Sequence, residues 1–125
     1  MTGPSILIVD DHEPFRAQAR EMLIEAGFTV VGEAIDGKGA LAAVDRMRPA
    51  LVLLDVQLPD LDGFEVTRQL LALREPPAVV LVSTREASDY GRRIHRSGAL
   101  GFITKSRLSG DTLQAMLPER NEGVR

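Results

Sequence analysis

The chain has 125 residues, 44% of them hydrophobic and 26% charged, a length and composition that suit one compact domain able to bury a core. A formal net charge of −3 with no long basic tract argues against nucleic acid as a direct partner, and no apolar run reaches the roughly 18 to 20 residues that insert across a bilayer. The absence of cysteine excludes disulfides, thiol catalysis and cysteine-based zinc sites together, and the first residues lack the basic and apolar regions of a signal peptide, so a cytoplasmic protein is expected.

Strand and helix signals alternate along the chain, the pattern of an α/β domain with a parallel sheet. Ile6, Leu7, Ile8 and Val9 form a continuous apolar run, as in strands covered on both faces, and deliver Asp10 and Asp11 at their end. A helix follows with Phe15, Ala19, Met22, Leu23 and Ala26 at helical spacing, Pro14 near its start and Gly27 beyond its end. Residues 29–34 read as a less uniformly apolar edge strand, and Asp36-Gly37 introduces a second helix with Leu41, Val44 and Met47 on one face. The third strand, residues 51–54, ends in Asp55, and a loop containing Pro59 comes next. Asp62 with Glu65 resembles a capping box opening a helix with Val66, Leu70 and Leu73, which Pro76-Pro77 ends.

Val79, Val80, Leu81 and Val82 form a fourth buried strand finishing in Ser83-Thr84. Residues 86–97 read as a poor and mobile helix, because Gly91 costs about 1 kcal/mol relative to Ala and Ser88 and Asp89 add little propensity. Residues 100–103 make the fifth strand and lead into Thr104-Lys105, after which Ser109 caps a short helix that Pro118 stops. The tail at 119–125 is polar and expected to fray. No repeat or linker divides the chain, so residues 1–125 are expected to form a single domain with its core at about 5–117.

Parallel strands with right-handed crossovers present their C-terminal ends on one edge of the sheet, and Asp10, Asp11, Asp55, Ser83 and Lys105 all fall there. Adjacent strands lie about 4.8 Å apart, so carboxylates ending neighbouring strands can share one ion. Hard oxygen donors without histidine or sulfur favour Mg²⁺ or Mn²⁺. Charge agrees: three carboxylates, a divalent ion and one ammonium sum to zero before a phosphoryl group arrives. A carboxylate in this setting is a plausible nucleophile toward phosphorus, with Ser83 and Lys105 supplying positioning and electrostatics. On this reading Asp55 accepts the phosphoryl group and Asp10 and Asp11 hold the metal.

Taken one by one, these residues have plainer explanations. Asp10 can cap the first helix, Ser83 can simply end its strand, Lys105 can be a solvated lysine and Phe102 an ordinary core aromatic. Arg92, Arg93 and Arg96, with Tyr90 beside them, form a basic stretch that is either a solvated face or a partner surface. Gly32 to Gly39 nearly spells a P-loop, but Gly39 stands where a Ser or Thr must bind Mg²⁺.

In their joint order, Asp10-Asp11, the segment Asp55-Val56-Gln57-Leu58-Pro59-Asp60-Leu61-Asp62-Gly63, Ser83, and Gly101-Phe102-Ile103-Thr104-Lys105 resemble the receiver domain of two-component response regulators over nearly the whole chain. The resemblance implies a flavodoxin-like, doubly wound five-stranded parallel sheet of order 2-1-3-4-5. It further implies that Asp55 is phosphorylated by a sensor histidine kinase or phosphotransfer protein. Asp11, Asp55 and the Gln57 backbone carbonyl would coordinate Mg²⁺, with Asp10 acting mostly through water. Ser83 would move toward the phosphoryl group, Phe102 would take the switch-aromatic position, and Gln57 and Arg85 the positions that tune dephosphorylation. The expected product is a conformational switch that catalyses only its own phosphorylation and dephosphorylation and passes its signal to a downstream effector protein. Three departures stand out: Ser106 replaces the proline that often follows the lysine and is linked to a cis peptide, Thr84 replaces a smaller residue, and the last helix is short. The rivals are a haloacid-dehalogenase-like phosphatase, which needs an aspartate where Gln57 stands, and a receiver-like adaptor that never uses phosphate.

Overall fold

The computed structural model describes residues 3–118, so the expected polar tail at 119–125 lies outside the described residues. Five strands, β1 (Ser5–Val9), β2 (Thr29–Ala34), β3 (Leu51–Asp55), β4 (Ala78–Ser83) and β5 (Gly101–Thr104), make one sheet in the order β2-β1-β3-β4-β5. All four pairings are parallel, and the crossovers between successive strands carry helices, α1 (Glu13–Glu25), α2 (Gly37–Met47), α3 (Gly63–Leu71) and α4 (Arg93–Ser97), while α5 (Gly110–Met116) follows β5. This is the flavodoxin-like order expected from the sequence.

Side chains alternate across a strand, which divides each apolar run between the two faces. Leu7, Val9, Val52, Leu54, Val79 and Leu81 pack with Ala40 and Val44 of α2 and Val66 and Leu70 of α3. Ile6, Ile8, Leu51, Leu53, Val80 and Val82 turn the other way, onto Ala19 and Leu23 of α1 and Leu113 of α5. Two-sided burial is why these strands read as unbroken hydrophobic runs. A leucine without solvent exposure, such as Leu7 or Leu53, contributes about 1.5 to 3 kcal/mol through burial.

β2 is the edge beside β1 and is mostly half-buried. Its register shifts by one residue between Ile6 and Leu7: Ile6 pairs with Val30, but Leu7 pairs with Gly32. Glu33 stands exposed on this strand and pairs with Arg16 at 2.8 Å and Arg20 at 3.0 Å, both from α1.

Side-chain caps fix the helix starts. Asp36 accepts from the Gly39 N–H at 2.7 Å at the start of α2, and Ser109 accepts from Thr112 at 3.1 Å at the start of α5. The Asp62 and Glu65 pair closes in one direction only. Asp62 accepts from the Glu65 N–H at 2.9 Å, while the Glu65 carboxylate takes hydrogen bonds from Arg68 and Gln69, so the capping box is half of what the sequence predicts. α3 also stops at Leu71, ahead of Pro76-Pro77.

The predicted fourth helix is broken in two. A 3₁₀ turn at Ala87–Tyr90 is followed by the five-residue α4, and Gly91 between them has φ 60° and ψ −131°. That backbone conformation strains any residue with a Cβ, so Gly91 divides the segment instead of weakening a continuous helix. β5 begins at Gly101, one residue later than predicted, and no peptide bond among the described residues is cis.

Candidate functional site

Register builds the site. Val9 is level with Leu54 across β1 and β3, which brings Asp10 and Asp55, the next residues on each strand, to the same edge. Asp55 pairs with Val82, and Ser83 with Thr104, so Ser83 lies one residue past Asp55's neighbour and Lys105 one past Ser83's. Carboxylate oxygens of Asp10, Asp11 and Asp55 all lie within 4.8 Å of one another. Asp10 and Asp55 are buried, whereas Asp11 is exposed.

Each buried carboxylate has a different set of partners. Asp10 Oδ1 accepts from the His12 N–H at 2.8 Å, and Oδ2 lies 2.6 Å from Lys105 Nζ. Asp55 Oδ1 accepts from the Gln57 N–H at 3.2 Å, and Oδ2 lies 3.6 Å from the same ammonium. Lys105 Nζ also sits 4.4 Å from the centre of the Phe15 ring, a favourable place for a cation. The lysine therefore bridges two carboxylates and rests on α1. The helical spacing of Phe15 predicts only a core position on α1, and its place under the ammonium has no local signal.

The electrostatics of the cluster act strongly on Asp55. Burial and the neighbouring Asp10 charge raise its pKa from 3.8 to about 6, against the opposing effects of Lys105 and the Gln57 N–H. A carboxyl so placed gains from any added positive charge.

The loop between β3 and α3 is anchored from both ends. Asp60 accepts from the N–H groups of Gly37 at 2.7 Å and Lys38 at 2.9 Å, so a loop carboxylate caps the neighbouring helix α2, and these bonds hold its pKa below the usual value. At the other end the Gly63 N–H reaches the Val56 carbonyl at 2.6 Å. A Cβ on Gly63 would lie 2.6 Å from the Asp55 carbonyl oxygen and 2.7 Å from Val56 Cα, so only glycine lets α3 start this close to β3. Gln57 is exposed and forms a bridge with Asp62 across the loop. Asp60 was part of the sequence motif, but its capping role joins residues 23 positions apart and has no local signal.

Ser83 is fully buried, and its hydroxyl is not bonded to Asp55. Ser83 Oγ instead lies 2.6 Å from the Tyr90 hydroxyl and accepts from the Arg85 N–H at 3.0 Å. Tyr90 stands edge-on between Phe64 and Phe102, with ring centres 5.6 Å and 5.8 Å away. The Phe102 position is therefore adjacent to the site through Tyr90. Thr84 and Arg85 are exposed at the end of β4, and the bond Arg85 makes to Ser83 comes from its backbone. In the sequence Tyr90 stands beside arginines, and the one signal that sets it apart is that it is the sole tyrosine in the chain.

The donor set fits a hard divalent cation. It is all oxygen, converges from two strand ends, and includes Asp10 Oδ2, a buried oxygen whose ion pair with Lys105 is not aligned as a hydrogen bond. That oxygen retains unused acceptor capacity, and three clustered carboxylates exceed the one cationic side chain among them. Mg²⁺ is held by such carboxylates together with several waters.

Comparison with known proteins agrees with this geometry. The sequence model for the response regulator receiver domain matches residues 6–117. The response regulator GacA of Pseudomonas protegens is 35% identical over 112 residues, covering 89% of this chain and 53% of GacA. The chain thus spans about half the length of the sequence relatives it matches. Among solved structures, the signal receiver domain of NarL from Mycobacterium tuberculosis superposes with a TM-score of 0.82 at 27% identity, covering 93% of this chain and 98% of that one. The chemotaxis response regulator CheY4 of Vibrio cholerae gives a TM-score of 0.81 at 26% identity, covering 93% and 100%.

Proposed function

The chain belongs to the response regulator receiver domain family, and on that premise we propose that Asp55 is its phosphoacceptor and that phosphorylation there is the event that switches it. One juxtaposition supports this above all: Asp55 is buried at the end of β3, beside Asp10 and Asp11 and 3.6 Å from Lys105 Nζ. An Asp55 oxygen attacks the phosphorus of a phosphohistidine, a P–O bond forms, and the P–N bond breaks with its electron pair left on the imidazole nitrogen. Lys105 holds a phosphoryl oxygen by charge, and Ser83 holds another by its hydroxyl. Hydrolysis by water returns the carboxylate and releases phosphate.

Mg²⁺, with Mn²⁺ the other candidate, would be held by Asp11, Asp55 and the Gln57 carbonyl, with Asp10 acting through water. When bound it supplies charge neutralisation for the phosphoryl oxygens. Thr84 and Arg85 follow Ser83 beyond β4, and Gln57, whose N–H donates to Asp55, stands two residues after it in the β3–α3 loop, so these three are proposed to tune the lifetime of the phosphoryl group. Phe102 is proposed to take part in the conformational response. A sensor histidine kinase or phosphotransfer protein is the proposed donor, an effector protein the proposed reader, and the cytoplasm the proposed compartment. Among the described residues no helix is long and apolar enough to cross a membrane. The phosphatase alternative is not favoured, because position 57 holds an amide where that chemistry needs an acid.

The test is incubation with acetyl phosphate and Mg²⁺, followed by intact mass spectrometry. Wild type should gain one phosphoryl group per chain and Asp55→Asn none. Unchanged incorporation in that variant would overturn the assignment.

A further inference from the structure

The family position for a switch aromatic is filled by Phe102, which has no hydroxyl. The polar link to Ser83 comes from another element. Tyr90 ends the 3₁₀ turn Ala87–Tyr90, and its hydroxyl lies 2.6 Å from Ser83 Oγ. The contact is short for a pair of hydroxyls, and Ser83 is fully buried, so water offers that oxygen no replacement partner.

Tyr90 has two further attachments. Its ring stands edge-on to Phe64 of α3 and Phe102 of β5. Phe64 also carries the Arg93 guanidinium, 4.3 Å from its ring centre, and Arg93 reaches the Asp62 carboxylate at 3.4 Å. Tyr90 and Arg93 flank the glycine hinge at Gly91 and grip the same aromatic ring, so the segment containing α4 is pinned to α3 on both sides of its most deformable residue. Neither α4 nor the 3₁₀ turn contains a buried residue. These contacts therefore carry much of its docking.

We propose that Tyr90 is the positioning residue for Ser83 in this chain: its hydroxyl holds Ser83 Oγ in the unphosphorylated state, and recruitment of Ser83 by a phosphoryl group on Asp55 breaks that bond and releases the segment 87–97. The proposal rests on Asp55 being the phosphoacceptor. Either hydroxyl of this pair can be the donor, but Ser83 Oγ occupies only one staggered position at a time. Moving Ser83 Oγ from one staggered position to another carries it away from the Tyr90 hydroxyl. Phosphorylation and the Tyr90 bond then compete for one oxygen.

The experiment measures binding of beryllofluoride with Mg²⁺ by fluorine NMR in wild type, Tyr90→Phe, Ser83→Ala and the double variant. Tyr90→Phe keeps the ring and its two edge-on contacts and removes only the hydroxyl. Loss of one competing hydrogen bond should tighten beryllofluoride binding by about 3- to 10-fold. Tyr90→Phe should have no effect in the Ser83→Ala background, because the oxygen it competes for is gone. Unchanged or weaker binding in Tyr90→Phe overturns the proposal, as does tightening that persists without Ser83. Failure of wild type to bind beryllofluoride overturns the phosphoacceptor reading itself, which separates the two failures.

A second measurement needs no variant. The chain has one tyrosine and no tryptophan, so its ultraviolet fluorescence reports Tyr90 alone. Emission should change on addition of beryllofluoride and Mg²⁺ together, beyond any change with Mg²⁺ alone. Emission that stays constant while fluorine NMR shows binding overturns the release of Tyr90.

Discussion

Replacing Asp55 with Asn should make the metal-free protein more stable at neutral pH, although it removes the proposed acceptor. Burial and Asp10 raise the Asp55 pKa from 3.8 to about 6, so the folded chain holds this proton more tightly than the unfolded chain. Stability then falls as pH rises between those two values; the full penalty is present above about pH 6 and absent below about pH 4. At about 1.4 kcal/mol per pKa unit, the gap sets a ceiling of about 3 kcal/mol. Solvent reaching the site mouth past the exposed Asp11 and Gln57 screens this to about 1 to 2 kcal/mol. The substitution leaves no orphaned ammonium, since Lys105 keeps Asp10 at 2.6 Å. The assay is urea unfolding followed by far-ultraviolet circular dichroism in EDTA, from about pH 4 to about pH 8, with the m-value confirming that the transition is otherwise unchanged. Asp55→Asn should gain the stated amount at the alkaline end, and the gain should vanish toward the acid end. Equal or lower stability of the variant at neutral pH, or a gain that does not vary with pH, would refute the reasoning. Saturating Mg²⁺ should narrow the gap by stabilising wild type through binding to the folded state.

Lys105→Met removes the charge that lowers the Asp55 pKa, so that pKa should move above about 6, read by carbon NMR of the carboxyl group; a fall would contradict the assignment of Lys105 as its counter-ion. Gly63→Ala forces a Cβ within 2.6 Å of the Asp55 carbonyl oxygen. It should cost about 1 to 3 kcal/mol in urea unfolding and slow phosphorylation by acetyl phosphate, while a neutral result would mean that the loop yields freely. Asp60→Ala deprives Gly37 and Lys38 of their shared acceptor and should weaken Mg²⁺ binding measured by calorimetry, with the circular dichroism spectrum retained. Unchanged affinity would show that the cap plays no part in positioning the β3–α3 loop for the ion.

The parts of this protein that could be read from its sequence are those whose cause is local or repeated. Unbroken apolar runs announced β1, β3 and β4 because both faces of those strands are covered, and the acids that end β3 and follow β1 marked the candidate site edge from the sequence alone. The half-made cap at Asp62 was not legible, because Glu65 has a choice of partners within its own helix and Arg68 and Gln69 compete successfully for its carboxylate. Division of the fourth helix was half visible: Gly91 gave poor helix propensity, but only its positive φ turned that weakness into a break. Asp60 escaped because its partners Gly37 and Lys38 lie on another element, and Tyr90 because its ring contacts, Phe64 and Phe102, do as well; the crossovers set those neighbours, and no spacing in the sequence encodes them.

The register shift in β2 has a consequence of its own. An edge strand exposes unpaired backbone groups on which another chain can add a strand, and a bulge together with charged side chains is the usual protection against it. Here the shift between Ile6 and Leu7 distorts that edge, and Glu33 stands on it between two arginines from α1. The β2 edge is therefore a poor template for aggregation, and a protein that recognises this domain by adding a strand to its sheet would not find its place there.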